Sequence, residues 1–445
     1  MDLCEGSDFV SFKYGKYVRG GKPETKKFDM TKPPYKQAMY FMPLVWAFSD
    51  LQKNIHRGKL NKVNMEGIKP PYILICNHNA FFDFYIMSRI LMPDRGYFPA
   101  AVDDYIGREW ALRHLGAIPK RKYTADLSII RNCKKAIQDK QIFGIYAEAR
   151  YSHCGKTEVI PDSVGQMCKY QNVPVVTLKM SGHHLYQPFW NSRRRYIKPV
   201  EATLTCIYKP EELKTATADE INAKIREYIF NDDFRWQYEN KIKIPYKNRA
   251  KGLHKVLYQC PHCMTEYKMK SEGAKVYCEH CGKSWTLGVY GDLQADSGET
   301  EFKFPTDWYD WEREQVKKQV LDGTYRLECD CDVNDLPNSK GFVHIGHGKL
   351  VHDLNGFKVE VTREYDNEPM KMEIPAAMQY ACHIEYDYRF GKRRDCIDLN
   401  TMEDTWYVFP ENCEFSVTKV ALATEEIFNE IERKRKEEKA LRSAK

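Results

Sequence analysis

Between residues 60 and 250, short apolar runs alternate with stretches of helical periodicity, and this alternation restricts the fold more than any other feature. Runs at 72–76, 142–147, 173–178 and 203–208 have the length and composition of buried strands; 84–92, 103–115, 125–140 and 218–230 carry helical spacing. Parallel strands need a crossover between them, and a helix supplies it. The pattern predicts an α/β domain with a mixed, largely parallel sheet and flanking helices, over residues 35–250. Thr217 and Glu220 have capping-box spacing at the start of the last helix.

The chain is 445 residues long, enough for roughly two to four domains. Residues 1–34 are polar, contain Pro23, Pro33 and Pro34, and read as an N-terminal arm. Residues 256–290 hold a compact cysteine module. From 305 to 445 an amphipathic helix at 305–321 leads into a β-rich domain closed by a charged helix from Thr424. Several strands followed by one helix resemble a pleckstrin-homology-like barrel in element order. Arg193-Arg194-Arg195 reads as a solvated surface run.

Mean hydropathy is −0.63, and no run reaches the ~18 apolar residues of a spanning helix. Met1 to Val10 lack the basic and apolar regions of a secretory signal. The 15 cysteines are scattered, which suits a reducing, cytoplasmic setting. Of the net charge of +7, residues 9–60 hold an excess: eleven Lys or Arg against three acids. Such an excess serves anionic lipid, nucleic acid or acidic substrates. Inside it lies Ala38 to Phe48, eleven apolar residues with Lys36 before and Lys53 and Arg57 after. Too short to cross a bilayer, this stretch reads either as an interfacial helix kinked at Pro43 or as a helix covering the sheet.

The first strand runs directly into Asn77-His78-Asn79-Ala80-Phe81-Phe82-Asp83. His78 and Asp83 therefore lie on a strand-to-helix turn, with Asp83 at the helix start, where the macrodipole favours a carboxylate. A carboxylate can orient an imidazole so that it takes a proton from an alcohol attacking an activated acyl group. Lys120, Arg121 and Lys122 follow Gly116 and Pro119 on a turn, where they can grip a phosphate or remain a solvated charge run. Glu148 ends the apolar strand at 142–146, beside Arg150.

Together these stretches resemble the glycerolipid acyltransferase family, which includes the lysophosphatidate acyltransferases. Its first block, N-H-x-x-x-x-D, is matched by Asn77, His78 and Asp83. Its second has a glycine and, six residues on, an arginine; here Gly116 is followed by Lys122 in that column, with Arg121 beside it. The third, F-P-E-G-T-R-S, reads Tyr146-Ala147-Glu148-Ala149-Arg150-Tyr151-Ser152, with the arginine one place early. The fourth, V-P-V-V-P, reads Val173-Pro174-Val175-Val176-Thr177. The resemblance covers roughly residues 40–230.

The resemblance implies acyl transfer from acyl-CoA or an acyl-carrier protein to a lysophospholipid hydroxyl, with lysophosphatidate the acceptor it points to. His78 would be the base, Asp83 its orienter, and Asn77, Lys120, Arg121, Lys122, Glu148 and Arg150 the substrate contacts. The protein would then sit peripherally on the inner face of the membrane, held by 38–48 and the basic arm. The departures in the second and third blocks bear on the acceptor head group.

Cys260-Pro261-His262-Cys263 and Cys278-Glu279-His280-Cys281 are two C-x-x-C knuckles. A hairpin between them would gather four thiolates around one structural Zn²⁺, in a unit too small to fold without it. Cys329, Cys331, His344, His347 and His352 match no ligand spacing and read as structural. Two alternatives remain open: a zinc-ribbon nucleic-acid-binding protein, and an acyltransferase-fold scaffold without activity. Against the first, Glu266, Glu272 and Glu279 dilute the basic charge of the ribbon.

Overall fold

A computed structural model describes residues 16–18, 26–124, 126–191, 195, 197–390 and 392–443. Most of the expected arm, and Arg193 and Arg194, lie outside them. What is described of the arm is tied down. Strand β1 (Lys16–Val18) pairs in parallel with a strand of the C-terminal domain, and Phe28 is buried against Tyr105, ring centroids 5.1 Å apart.

The first sheet is mixed, as the alternation predicts. It comprises β2 (Lys59–Val63), β3 (Ile73–Cys76), β4 (Gly96–Ala101), β5 (Ala117–Lys120), β6 (Ile142–Tyr146), β7 (Val175–Ser181) and β8 (Glu201–Tyr208), in the order β2-β8-β7-β3-β6-β4-β5. All pairings are parallel except β7 with β8. Continuous apolar runs became the central strands: every residue of β3 is buried between β6 and β7. Three strands escaped the reading. The edge strand β2 is mostly exposed and polar, so it has no apolar run to detect. Strands β4 and β5 carry Pro99 and Pro119, ordinarily a mark against a strand. Pro99 is tolerated because β4 pairs with β6 only at Gly96 and Tyr97 and has left it before the proline.

Helices α1 (Met42–Ile55), α2 (Asp83–Leu91), α3 (Ser128–Gln138), α4 (Ser163–Gln171) and α5 (Ala218–Ile229) flank the sheet. Pro43 does not kink α1. It stands in the first turn, where no backbone N–H is required, and opens the helix. Helix α1 packs on α2 through Phe48 and Tyr85, and through Arg89 Nε donating to Asp50 Oδ1 at 2.6 Å.

The cysteine module is a four-stranded antiparallel sheet of β9 (Met269–Glu272), β10 (Lys275–Cys278), β11 (Ser284–Leu287) and β12 (Leu293–Ala295). Its buried Trp285 meets Trp308 of α6 (Pro305–Leu321) edge-on, centroids 4.8 Å apart.

The remainder is β-rich. Strands β13 (Leu327–Asn338), β14 (Gly341–Asp353), β15 (Gly356–Thr362), β16 (Pro369–Pro375), β17 (His383–Phe390), β18 (Lys392–Asn400) and β19 (Thr405–Glu411) run β16-β15-β14-β13-β19-β18-β17, all antiparallel. The terminal helix α7 (Val417–Ser443) starts before the expected Thr424. Its first turns, Val-Thr-Lys-Val-Ala-Leu-Ala, are β-branched and apolar and resemble a strand locally. Burial of Val417, Val420, Ala421 and Leu422 overrides that preference.

Candidate active site

The carboxyl ends of β3, β6 and β7 converge, and ligands in open α/β sheets sit at such ends. Asn77 leaves β3 fully buried and spends its amide on the neighbouring strand. Its Nδ2 donates to Met180 O at 2.8 Å, and Met180 N donates to its Oδ1 at 2.9 Å. Asn79 Nδ2 reaches the same carbonyl at 3.0 Å. These bonds continue the β3–β7 ladder past the last backbone pair and fix the turn on which His78 sits.

Asp83, wholly buried in the first turn of α2, is the centre of the arrangement. Its Oδ2 accepts from His78 Nδ1 at 2.9 Å, Asn79 N at 2.6 Å and Ala80 N at 3.1 Å. Its Oδ1 accepts from His183 Nδ1 at 2.7 Å. Burial pushes the carboxyl up, but the hydrogen bonds and charges of His183 and His78 overrule it and bring it down to about 2. An ionised carboxylate only accepts, so Nδ1 of His78 carries a proton toward it, and the neutral form of the ring then has its lone pair on Nε2. The imidazole is clamped, stacked on Tyr146 at 3.8 Å and 15° and tilted against Tyr151 at 4.3 Å, yet 17% of its side chain stays exposed. An imidazole oriented in this way can accept a proton.

Glu148 lies behind His78. Its Oε1 accepts from His78 N at 2.9 Å and its Oε2 from Glu158 N at 2.8 Å. It is fully buried, and that burial raises its carboxyl to about 8 against the pull of those N–H groups. Glu148 therefore holds the backbone of the turn.

The basic residues lie apart from this centre and face the C-terminal domain or their own loop. Lys120 Nζ donates to Thr124 O at 2.9 Å, and burial brings its ammonium down to about 8. Arg121, 3% exposed, donates to Glu403 O at 2.7 Å and to Thr405 Oγ1. Lys122 lies 3.4 Å from Asp398 and 3.7 Å from Asp103; burial opposes its charge, and those carboxylates raise its pKa regardless. Arg150, also 3% exposed, contacts Glu158 at 3.2 Å, Cys382 O at 3.3 Å, and Glu425 of α7.

Sequence reasoning did not find His183, Tyr146 or Tyr151. One signal for His183 was available: it follows the apolar run of β7 as His78 follows that of β3, and adjacent parallel strands place their ends side by side. The aromatic walls had no such signal.

The four knuckle cysteines also meet. Cys260 and Cys281 sulfurs are 3.7 Å apart, and those of Cys263 and Cys278 are 3.8 Å apart. Four thiolates about 2.3 Å from one zinc ion stand roughly 3.8 Å from each other, so the spacing suits a tetrahedral metal. The knuckles are copies of one another. Cys260 N bonds Thr265 O and Met264 N bonds Cys260 O; Cys278 N bonds Lys283 O and Gly282 N bonds Cys278 O, each at 2.9 Å.

A comparison with curated proteins finds no match. Among solved structures, the 1-acyl-sn-glycerophosphate (LPA) acyltransferase PlsC from Thermotoga maritima is similar, with TM-score 0.33 and 17% identity, over 43% of this chain and 77% of that one. A family model described as Acyltransferase matches residues 52–181, which run from within α1 to the last residue of β7 and include His78, Asp83 and Glu148. Residues 52–181 are an acyltransferase domain.

Proposed function

We propose that the protein moves a fatty acyl group from acyl-CoA or an acyl-carrier protein to the hydroxyl of a lysophospholipid, lysophosphatidate being the acceptor its motifs point to. The observation that carries this reading is the His78–Asp83 pair, 2.9 Å apart with 17% of the histidine side chain exposed, within the residues that match the acyltransferase family model. The acceptor hydroxyl attacks the thioester carbonyl while His78 Nε2 takes its proton. Asp83 holds the ring and stabilises the imidazolium as the tetrahedral oxyanion forms. Collapse of that intermediate re-forms the carbonyl and expels the thiolate, which takes up the proton. A thioester is activated already, so no acyl-enzyme is needed.

Peripheral attachment to the inner face of a membrane belongs to the same proposal. Among the described residues no helix is long and apolar enough to cross a bilayer. Helix α1 instead leaves Leu44, Phe48 and Leu51 exposed at helical spacing, with Met39 and Tyr40 beside them. A cleft of about 480 Å³ next to it is lined by Lys53 and Lys62, cations for anionic head groups. The four-cysteine cluster would hold structural Zn²⁺ through Cys260, Cys263, Cys278 and Cys281, making the module's fold depend on metal.

A second reading, a scaffold without activity, is favoured by one observation: Arg121, Lys122 and Arg150 are already paired with C-terminal groups. Incubation of the full chain with labelled acyl thioester and a panel of lysophospholipids decides between them. Transfer that His78→Ala abolishes in a folded protein supports catalysis. No transfer to any acceptor overturns it, and steeply salt-dependent nucleic-acid binding in its place would revive the zinc-ribbon alternative.

A further inference from the structure

His344 and His347 are three apart on β14, so a regular strand would point them to opposite faces. The ladder is not regular there. Asp332 pairs with His347 and Val333 with Gly346, but Asn334 pairs with His344, which leaves Ile345 as an inserted bulge residue. The insertion turns both imidazoles to one side, ring centroids 5.7 Å apart. Asp332, across the ladder on β13, faces the same spot. One potential ligand atom from each of these three residues lies within 4.8 Å of the others.

Every one of the three is also held from behind. His344 Nδ1 lies 3.0 Å from Glu364 Oε2 while its Nε2 faces Asp332 Oδ1 at 2.7 Å. His347 Nδ1 lies 3.1 Å from Glu411 Oε2. The other oxygen of Asp332 accepts from Arg394, whose second nitrogen is 2.6 Å from Glu411. Carboxylates on the far nitrogens of two histidines, and a donor on the far oxygen of a carboxylate, are the outer contacts that orient metal ligands. With neutral imidazoles, the carboxylates of Asp332, Glu364 and Glu411 against the guanidinium of Arg394 leave two net negative charges, matched by one divalent cation.

We infer that Asp332, His344 and His347 form a second metal site, for a divalent transition metal of the zinc class. Two imidazoles and one carboxylate are the ligand types that suit such ions. His347 is exposed, so the set borders solvent, and three protein ligands leave a fourth position for water. Binding replaces the Nε2 proton that His344 otherwise shares with Asp332, so affinity falls as pH drops. This site is independent of acyl transfer and of the cysteine cluster.

The test is the metal content of the full chain after loading with Zn²⁺ and removal of free ion, with and without His347→Ala and Asp332→Asn. His347 lies at the surface, so its truncation leaves the fold standing. Each substitution is expected to remove one equivalent of zinc. With Co²⁺ as probe, His347→Ala should erase weak bands of nitrogen- and oxygen-bound metal and leave the intense thiolate charge-transfer band intact. An unchanged count in both variants, or a lost equivalent that takes the thiolate band with it, overturns the inference.

Discussion

Replacing Asp83 with asparagine tests the chemical core of the proposal. The carboxylate accepts four hydrogen bonds, from His78, Asn79, Ala80 and His183. An amide of the same shape offers one oxygen and turns an N–H₂ toward donors. It thus leaves buried N–H groups unpaired and favours the wrong tautomer of His78, with the lone pair on Nδ1 instead of Nε2. Positioned general base catalysis contributes ~10²–10⁴-fold, and kcat should fall by that order while both KM values stay within about threefold. Stability falls too. The folded carboxyl sits at about 2 against an ordinary 3.8. Linkage makes that difference worth about 2 kcal/mol at neutral pH, fully present above the ordinary value and lost as pH falls from there through the folded one. Release of free thiol from the acyl thioester reads the rate, and urea unfolding at pH 7 and pH 3 reads the stability. A folded Asp83→Asn protein that turns over within tenfold of the parent would refute the assigned roles.

Glu148→Gln should cost about 1–3 kcal/mol in urea unfolding, because an amide cannot accept from both His78 N and Glu158 N. Since the Glu148 carboxyl is raised from the ordinary 4.5 to about 8, the parent loses stability as pH climbs between those two values and no further above them; the gap between the two proteins should narrow from pH 5 to pH 8. Cys278→Ser should remove the one equivalent of zinc held by the sulfurs and lower the melting temperature, as should chelation, which strips that ion with any other, and the His78–Asp83 chemistry should be affected only through the fold; native protein lacking metal at the four sulfurs would reject this. Leu44→Asp combined with Leu51→Asp should abolish sedimentation with vesicles containing anionic lipid and leave turnover of a water-soluble short-chain acceptor unchanged. Sedimentation equal to the parent's would remove α1 from the membrane.

What the sequence revealed follows from how physics writes into it. Strands buried on both faces, such as β3, are continuous apolar runs and are legible, whereas β2 at an exposed edge has no such pattern. The knuckles were legible because their ligands are paired close in the chain. The set at Asp332, His344 and His347 was not, because its spacing makes sense only once a bulge and a partner strand are known. His78 and Asp83 share one turn and could be read together, while His183 completes the same carboxylate from a position 100 residues away.

The cations of the second and third blocks carry the deeper lesson. A glycine after the glutamate of the third block would suit its backbone, since Ala149 there adopts φ +55°, a left-handed conformation that disfavours a Cβ. This chain accepts that strain and places its arginine one residue early. From that place Arg150 reaches Glu158, Cys382 O and Glu425, and the neighbouring Arg313 joins the same carboxylates, 3.4 Å from Glu158 and 2.6 Å from Glu425. Removing one partner of such a buried pair costs about 3–5 kcal/mol, because the other charge is stranded away from water. Lys122 pairs likewise with Asp398, while Arg121 bonds the main-chain carbonyl of Glu403 and the hydroxyl of Thr405. These four cations therefore bolt the acyltransferase domain to the β-rich domain. An acceptor phosphate that sought them would have to displace groups already bonded to them, whereas Lys53 and Lys62, which line the cleft beside α1, make no such buried pairing among the described residues.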